Sequence, residues 1–223
     1  MTTRVTASRF TELGLDDWRV VLRGIQASFR CGTYASAGAF AADVAQLSDA
    51  QDHHAALNLR YPDLLHIVST THFLDDVTDR DVTLATSISN LAREKGFVSE
   101  PTASTTVEIA IDALDIDAVR PFWKAVLGYV EGKPDDDGTM SELYDPRNVG
   151  PAVWFQRMDE PRDQRNRIHL DVVVPHDAAD ERLAAALDAG GHMVSDAHAR
   201  AFWVLADAEG NEACICTWQD RGR

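Results

Sequence analysis

Residues 97–105, Phe97-Val98-Ser99-Glu100-Pro101-Thr102-Ala103-Ser104-Thr105, interrupt a chain that is otherwise periodic in its apolar residues. Neither the two-residue period of a strand nor the three-to-four-residue period of a helix runs through them, and Pro, Ser and Thr are residues that punctuate regular structure. A chain of 223 residues broken here leaves two halves, each long enough to bury a core of its own. The expected division is a first domain over 1–98, a linker over 99–104 and a second domain over 105–223.

The two halves carry different patterns. In the first, Asp16 to Leu22 predicts a short helix with acidic residues in its first turn. Ser28 to Tyr34 predicts two short strands around Gly32, and Ser36 to Asp49 predicts a helix whose buried stripe is Phe40, Val44 and Leu47. Leu57 to Tyr61 alternates as a half-buried strand does, Pro62-Asp63 turns the chain, and Leu65 to His72 predicts another strand. Thr78-Asp79-Arg80-Asp81 then opens a helix that Gly96 stops. The order is αββαββα, an α+β layer of sheet and helices.

In the second half a strand–helix–strands unit occurs twice. Val107 to Ile111 is a strand, Ile116 to Leu127 a helix capped by Gly128, and Pro151 to Gln156 a closing strand after the acidic turn Pro134 to Gly138. Arg167 to Val174 begins the second unit, with a helix over Ala178 to Ala189 and strands over Ala201 to Leu205 and Glu212 to Trp218. Glu108 and His169 stand in equivalent first strands about 60 residues apart, an internal repeat of the kind that completes one domain from two units.

Bulk properties narrow the partners. A net charge of -15 argues against nucleic acid or an anionic membrane as main partner. The first fifteen residues lack an apolar signal core, and no stretch reaches the roughly 20 apolar residues of a membrane helix. Three cysteines, Cys31, Cys214 and Cys216, without a C-x-x-C pair suit a reducing, cytoplasmic compartment.

Chemistry concentrates between Asp52 and Asp81, where four of the 8 histidines fall: His53, His54, His66 and His72. Imidazoles titrate near neutral pH, so several around one pocket can move protons in both directions within one reaction. The bland readings are that adjacent histidines in a loop are solvated, that Asp81 only caps its helix behind Thr78, that His66 is structural and that Asp75-Asp76 is a solvated turn.

His53-His54, Leu59-Arg60-Tyr61, Thr71-His72 and Thr78-Asp79-Arg80-Asp81, in this order and spacing, make residues 13 to 96 resemble a pterin-4a-carbinolamine dehydratase (4a-hydroxytetrahydrobiopterin dehydratase). The resemblance implies a lyase that converts a 4a-hydroxytetrahydropterin to the quinonoid dihydropterin by acid/base catalysis, with no metal or cofactor. It implies a pterin site lined by His53, His54 and His72, with His54 and His72 as the acid/base pair and Asp81 orienting an imidazole. It also implies a homo-oligomer. The chain departs from the family pattern at Ala55, where proline is common, and at Ala56 and Leu57, near which some members carry tryptophan.

Pro121 to Gly128, Asn166 to Asp171 and Asp207 to Glu212 make residues 105 to 219 resemble the glyoxalase/bleomycin-resistance/dioxygenase superfamily, the vicinal oxygen chelate fold of paired βαβββ modules. This scaffold hosts many chemistries. Metal-using members place ligands on the first and last strands of the modules; here those positions hold Glu108, His169 and Cys214, with a fourth near Phe155 or Gln156. A thiol in that set matches poorly the usual nitrogen and oxygen sphere, so Glu108, His169 and Cys214 are expected to line a small-molecule pocket, and no metal is assigned. Cys214 and Cys216 share a strand face and are expected in the core. The alternatives to dehydration are a metal-dependent lyase or dioxygenase, or a small-molecule-sequestering protein, working through this second half.

Overall fold

The computed structural model describes residues 2–134, 138–161 and 168–220. Its contacts separate two compact units, Met1–Thr106 and Val107–Arg223.

The first unit is an α+β layer. After α1 (Ala7–Glu12), β1 (Trp18–Val21) and β2 (Gly24–Arg30) form an antiparallel hairpin. Helix α2 (Tyr34–Ala50), strands β3 (Ala56–Arg60) and β4 (Leu64–Ser69), and helix α3 (Asp79–Glu94) follow, and β5 (Val98–Ser99) ends the series. The sheet order is β1-β2-β4-β3, with β5 also on β2. Ile25, Ala27 and Phe29 on alternate positions of β2 pack with Phe40 and Val44 of α2 and Leu84 and Ile88 of α3. A two-residue strand period thus meets two helical stripes in one core.

Four expectations are corrected here, the first being that Ser28 to Tyr34 is not two strands around Gly32: Ser28 to Arg30 ends β2, and Tyr34 already begins α2. Trp18 to Val21 is strand rather than helix: Gly14 turns the chain at φ 67°, and the β-branched pair Val20-Val21 then extends. The buried Trp18 indole N–H donates to Ser89 Oγ of α3 at 3.0 Å, which fixes that strand on the core. The helix expected from Ser36 starts at Tyr34 because Thr33 Oγ1 accepts from Ser36 N at 3.1 Å. Strand β4 stops at Ser69, so His72 lies beyond it in a turn closed by the Thr71↔Asp76 bridge.

The segment expected as a linker is tied to the first sheet. Ser99 pairs with Phe29, Glu100 N donates to Ser28 O at 2.8 Å, and a 3-10 turn covers Pro101–Ala103.

The second unit contains two βαβββ modules of identical strand order. One runs β6 (Glu108–Ala113), α4 (Ile116–Leu127), β7 (Val130–Glu131), β8 (Glu142–Tyr144) and β9 (Ala152–Arg157), with sheet order β6-β9-β8-β7. The other runs β10 (Leu170–Val173), α5 (Ala179–Asp188), β11 (His192–Ser195), β12 (Phe202–Ala206) and β13 (Glu212–Cys216), with order β10-β13-β12-β11. In each, the first strand is parallel to the last and the others are antiparallel. Asp135–Asp137 of the acidic turn, and Asn166 and Arg167 before β10, lie outside the described residues.

The two modules share one core, with Val119, Phe122 and Val126 of α4 beside Leu183 and Ala186 of α5. Gly191 is required where α5 ends, because a Cβ there would stand 2.2 Å from the Phe122 ring. The Asp207-to-Asn211 turn joins the modules from the other direction. Buried Asp207 accepts from Trp123 Nε1 at 2.9 Å, while Glu209 accepts from the backbone N–H groups of Leu114 and Asp115 at 2.9 and 2.7 Å. That turn and Trp123 were both among the residues that carried the second resemblance, and their shared work is to hold the two modules together.

Candidate active site

The polar centre of the first unit is built where α2 ends and α3 begins. Asp52 follows the last turn of α2 at φ 48°, a left-handed conformation that Asp tolerates better than most residues. This turns the chain so that His53 N donates back to Ser48 O at 3.0 Å and the imidazole points inward. The Arg80 guanidinium lies against the same helix end, donating to Asp52 O and, at 3.2 Å, to Asp52 Oδ2. A cation there satisfies carbonyls left open at a helix C-terminus.

Asp81 has two jobs, one for each carboxylate oxygen. Oδ2 accepts from Thr78 N at 2.8 Å and Thr71 Oγ1 at 2.7 Å, completing the capping box that starts α3. Oδ1 accepts from Ser69 Oγ at 2.6 Å and stands 2.8 Å from His53 Nε2. Burial raises the Asp81 pKa, but the hydrogen bonds from Ser69, His53, Thr71 and the Thr78 amide outweigh it and hold it below the ordinary carboxylate value. Capping and histidine anchoring therefore coexist in one residue.

The three histidines are not equivalent. His53 is buried, 6% exposed, with its Nε2 committed to Asp81. His54 and His72 are exposed, and His72 Nε2 lies 3.3 Å from the backbone carbonyl of His54. His54 Nε2 in turn lies 3.0 Å from Asp49 Oδ1. In all three cases the partner oxygen can only accept, so Nε2 carries the hydrogen and Nδ1 is the basic nitrogen of the neutral ring. The structure thus brings His54 and His72 together outside and fixes His53 to Asp81 inside.

Asp49 was missed by reading the sequence. The available signal was its position in the last turn of α2, five residues before His54. His66 is buried on β4 with Nδ1 2.9 Å from Ser28 Oγ; desolvation, with Arg60 second, lowers its pKa. Asp75 and Asp76 pair with Arg23 at 2.6 Å and Arg4 at 3.4 Å.

In the second unit His169 and Cys214 meet, but without Glu108. They line a cavity of about 750 Å³ with Asp171, Phe202, Val204 and Cys216. Glu108 is exposed at the start of β6, and Gln156 is on β9; neither lines this cavity. Asp171 is the third polar group instead, its Oδ1 3.3 Å from His169 Nε2. Cys214 and Cys216 are buried free thiols on β13, and they face this cavity rather than the apolar core. Burial, and then the Asp171 charge, push the Cys214 thiol up to about 12.

Fold and site define a chain in which an α+β unit carrying a carboxylate-anchored histidine cluster precedes a paired βαβββ unit. Comparison with known proteins makes both halves specific. The pterin 4 alpha carbinolamine dehydratase family matches residues 2–91, and the glyoxalase-like domain family matches residues 108–216. A Streptomyces coelicolor protein provisionally named pterin-4-alpha-carbinolamine dehydratase is 33% identical over 82 residues, covering 37% of this chain and 81% of that protein. A Chloroflexus aurantiacus protein with the same provisional name is 32% identical over 75 residues, covering 34% of this chain and 80% of that one. The chain belongs to the pterin-4-alpha-carbinolamine dehydratase family through its first half and carries a glyoxalase-like domain in its second.

Among solved structures, a transcriptional coactivator/pterin dehydratase from Brucella melitensis aligns at 26% identity and TM-score 0.38, over 40% of this chain and 99% of that one. A glyoxalase/bleomycin resistance protein/dioxygenase family enzyme from Burkholderia phytofirmans aligns at 18% identity and TM-score 0.40, over 49% of this chain and 95% of that one. No helix among the described residues is long and apolar enough to cross a membrane.

Proposed function

We propose that the first unit dehydrates a 4a-hydroxytetrahydropterin to the quinonoid dihydropterin, with His54 and His72 as the acid/base pair. The observation that carries this reading is the exposed His72 ring seated against the backbone of exposed His54, 3.3 Å from His72 Nε2 to His54 O, beside a buried His53–Asp81 pair. One neutral imidazole takes the ring-nitrogen proton while the other, as imidazolium, protonates the departing hydroxyl, which leaves as water. The two histidines end with exchanged protonation states, and solvent resets them.

Asp49, 3.0 Å from His54 Nε2, orients that ring. His53 and Asp81 do not take part in proton transfer in this scheme. They hold the α2–α3 junction, and therefore the backbone of His54, in place. Assembly into a homo-oligomer and a cytoplasmic location accompany this proposal, on the family relationship alone.

The test is the rate of 4a-hydroxytetrahydropterin dehydration above the spontaneous rate. His54→Ala and His72→Ala are each expected to lower it about a hundredfold or more with the fold retained. Wild-type protein no faster than buffer, or two variants as fast as wild type, overturns the assignment.

A further inference from the structure

We propose that Thr71 is a positioning residue for the acid/base pair, an inference that rests on the dehydratase reading of the first unit and adds a residue to it. Its buried hydroxyl pins the turn that carries His72 onto the Asp81 carboxylate, and so sets where the His72 ring stands against His54.

Thr71 is 0% exposed, so it cannot touch a substrate and acts only through its neighbours. Oγ1 donates to Asp81 Oδ2 at 2.7 Å and lies 2.7 Å from Thr78 Oγ1. With its one hydrogen spent on the carboxylate, that hydroxyl can only accept from Thr78. The Thr71 backbone closes the turn. Its N–H donates to Asp76 O at 3.0 Å, and its carbonyl accepts from the N–H groups of Leu74 and Asp75 at 2.9 and 2.8 Å. Asp75 in turn pairs with Arg23 at 2.6 Å, which ties down the far end of the same turn.

The two histidines are thereby hung from one buried carboxylate by two arms. On one arm, Asp81 Oδ1 stands 2.8 Å from His53 Nε2, and His54 is the next residue. On the other, Oδ2 holds Thr71, and His72 is the next residue. The arms meet again where His72 Nε2 lies 3.3 Å from His54 O, closing a circuit of contacts through Asp81. Two proton transfers on one bound molecule need both imidazoles at a fixed separation, and a misplacement of about 1 Å can cost about a hundredfold in rate. Thr71 is the link on the His72 side that supplies this constraint, as His53 is on the His54 side.

The test compares dehydration kinetics of the full chain with Thr71→Val, which keeps the shape and loses the hydroxyl, and Thr71→Ser, which keeps the hydroxyl. Thr71→Val is expected to lower kcat about tenfold or more with KM within about twofold, and Thr71→Ser to restore most of the rate. Ser89→Ala, which deletes another buried hydroxyl of this unit at its hydrogen bond with Trp18, is expected to keep the wild-type rate. In a His72→Ala background, Thr71→Val is expected to add no further loss, because it acts through that ring. Imidazole NMR signals that vanish in His72→Ala are expected to shift in Thr71→Val and to stay in place in Ser89→Ala. Thr71→Ala reads the same loss if the valine variant fails to fold. Wild-type kcat in Thr71→Val, an equal loss with and without His72, or unmoved His72 signals overturns the proposal. Wild-type protein no faster than buffer removes the dehydratase reading instead, and the His72 signals then decide by themselves whether Thr71 places that ring.

Discussion

Asp81 and Asp171 are both carboxylates beside a histidine, and they illustrate opposite uses of that pair. Asp81 is 0% exposed and receives hydrogen bonds from Ser69, Thr71, Thr78 and His53. Its lone pairs are spent within the protein, so it can position other groups but has little left for a ligand. Asp171 has a side chain 57% exposed at the edge of a cavity, with a histidine and a thiol beside it. A carboxylate saturated by its own protein is part of the frame; one left at a cavity with other donors is available to a ligand.

The sharpest way to break this contrast is to delete both carboxylates. Asp81→Ala leaves the Thr78 amide, two hydroxyls and the His53 ring without their acceptor in a buried setting. It is expected to destabilise the first unit by about 3 kcal/mol or more in chemical denaturation. A loss below about 1 kcal/mol would mean that water replaces the carboxylate, and the difference between the two sites would collapse.

Acid titration gives the next effect. His66 has a folded pKa below the ordinary 6.5, through desolvation first and Arg60 second. The folded chain then binds fewer protons than the unfolded one, so stability rises with pH in this range and is lost as pH falls from about 6.5 through the lower folded value. Stability measured against pH should therefore decline on the acid side in wild type and flatten there in His66→Leu. An unchanged slope in the variant would assign the decline to another group.

Thr78→Ala removes the side-chain half of the capping box while leaving Asp81 in place. A loss of about 1 kcal/mol is expected, visible as a small fall in denaturation midpoint. The smallest effect belongs to Asp171→Ala, under about 1 kcal/mol, because an exposed ion pair contributes little. A cost there equal to that of Asp81→Ala would make Asp171 structural and count against its availability to a ligand.

The first unit was more legible than the second because its site residues are close in sequence and carry local rules. Thr78-Asp79-Arg80-Asp81 announces a capping box, and that local pattern alone places Asp81 at the start of α3. The failure at Trp18 is equally instructive. Acidic residues before an apolar run suit a helix start, but Asp16-Asp17 precede a strand, since Val20-Val21 and the buried Trp18–Ser89 hydrogen bond outweigh the local cue. Asp49 went unnoticed because its partner lies past the end of the helix, where no periodic rule relates the two.

What the amino acids determined by themselves was the α+β class of the first half, its element order from the second helix onward and the repeated module of the second half. These follow from periodicity and spacing along one dimension. Only the tertiary structure decided that His53 is buried on Asp81 while His54 and His72 are exposed, and that Asp171 rather than Glu108 stands beside Cys214. The reason is physical: which lone pairs are consumed inside the protein depends on strand register and burial, and both are set by pairing between residues far apart in the chain.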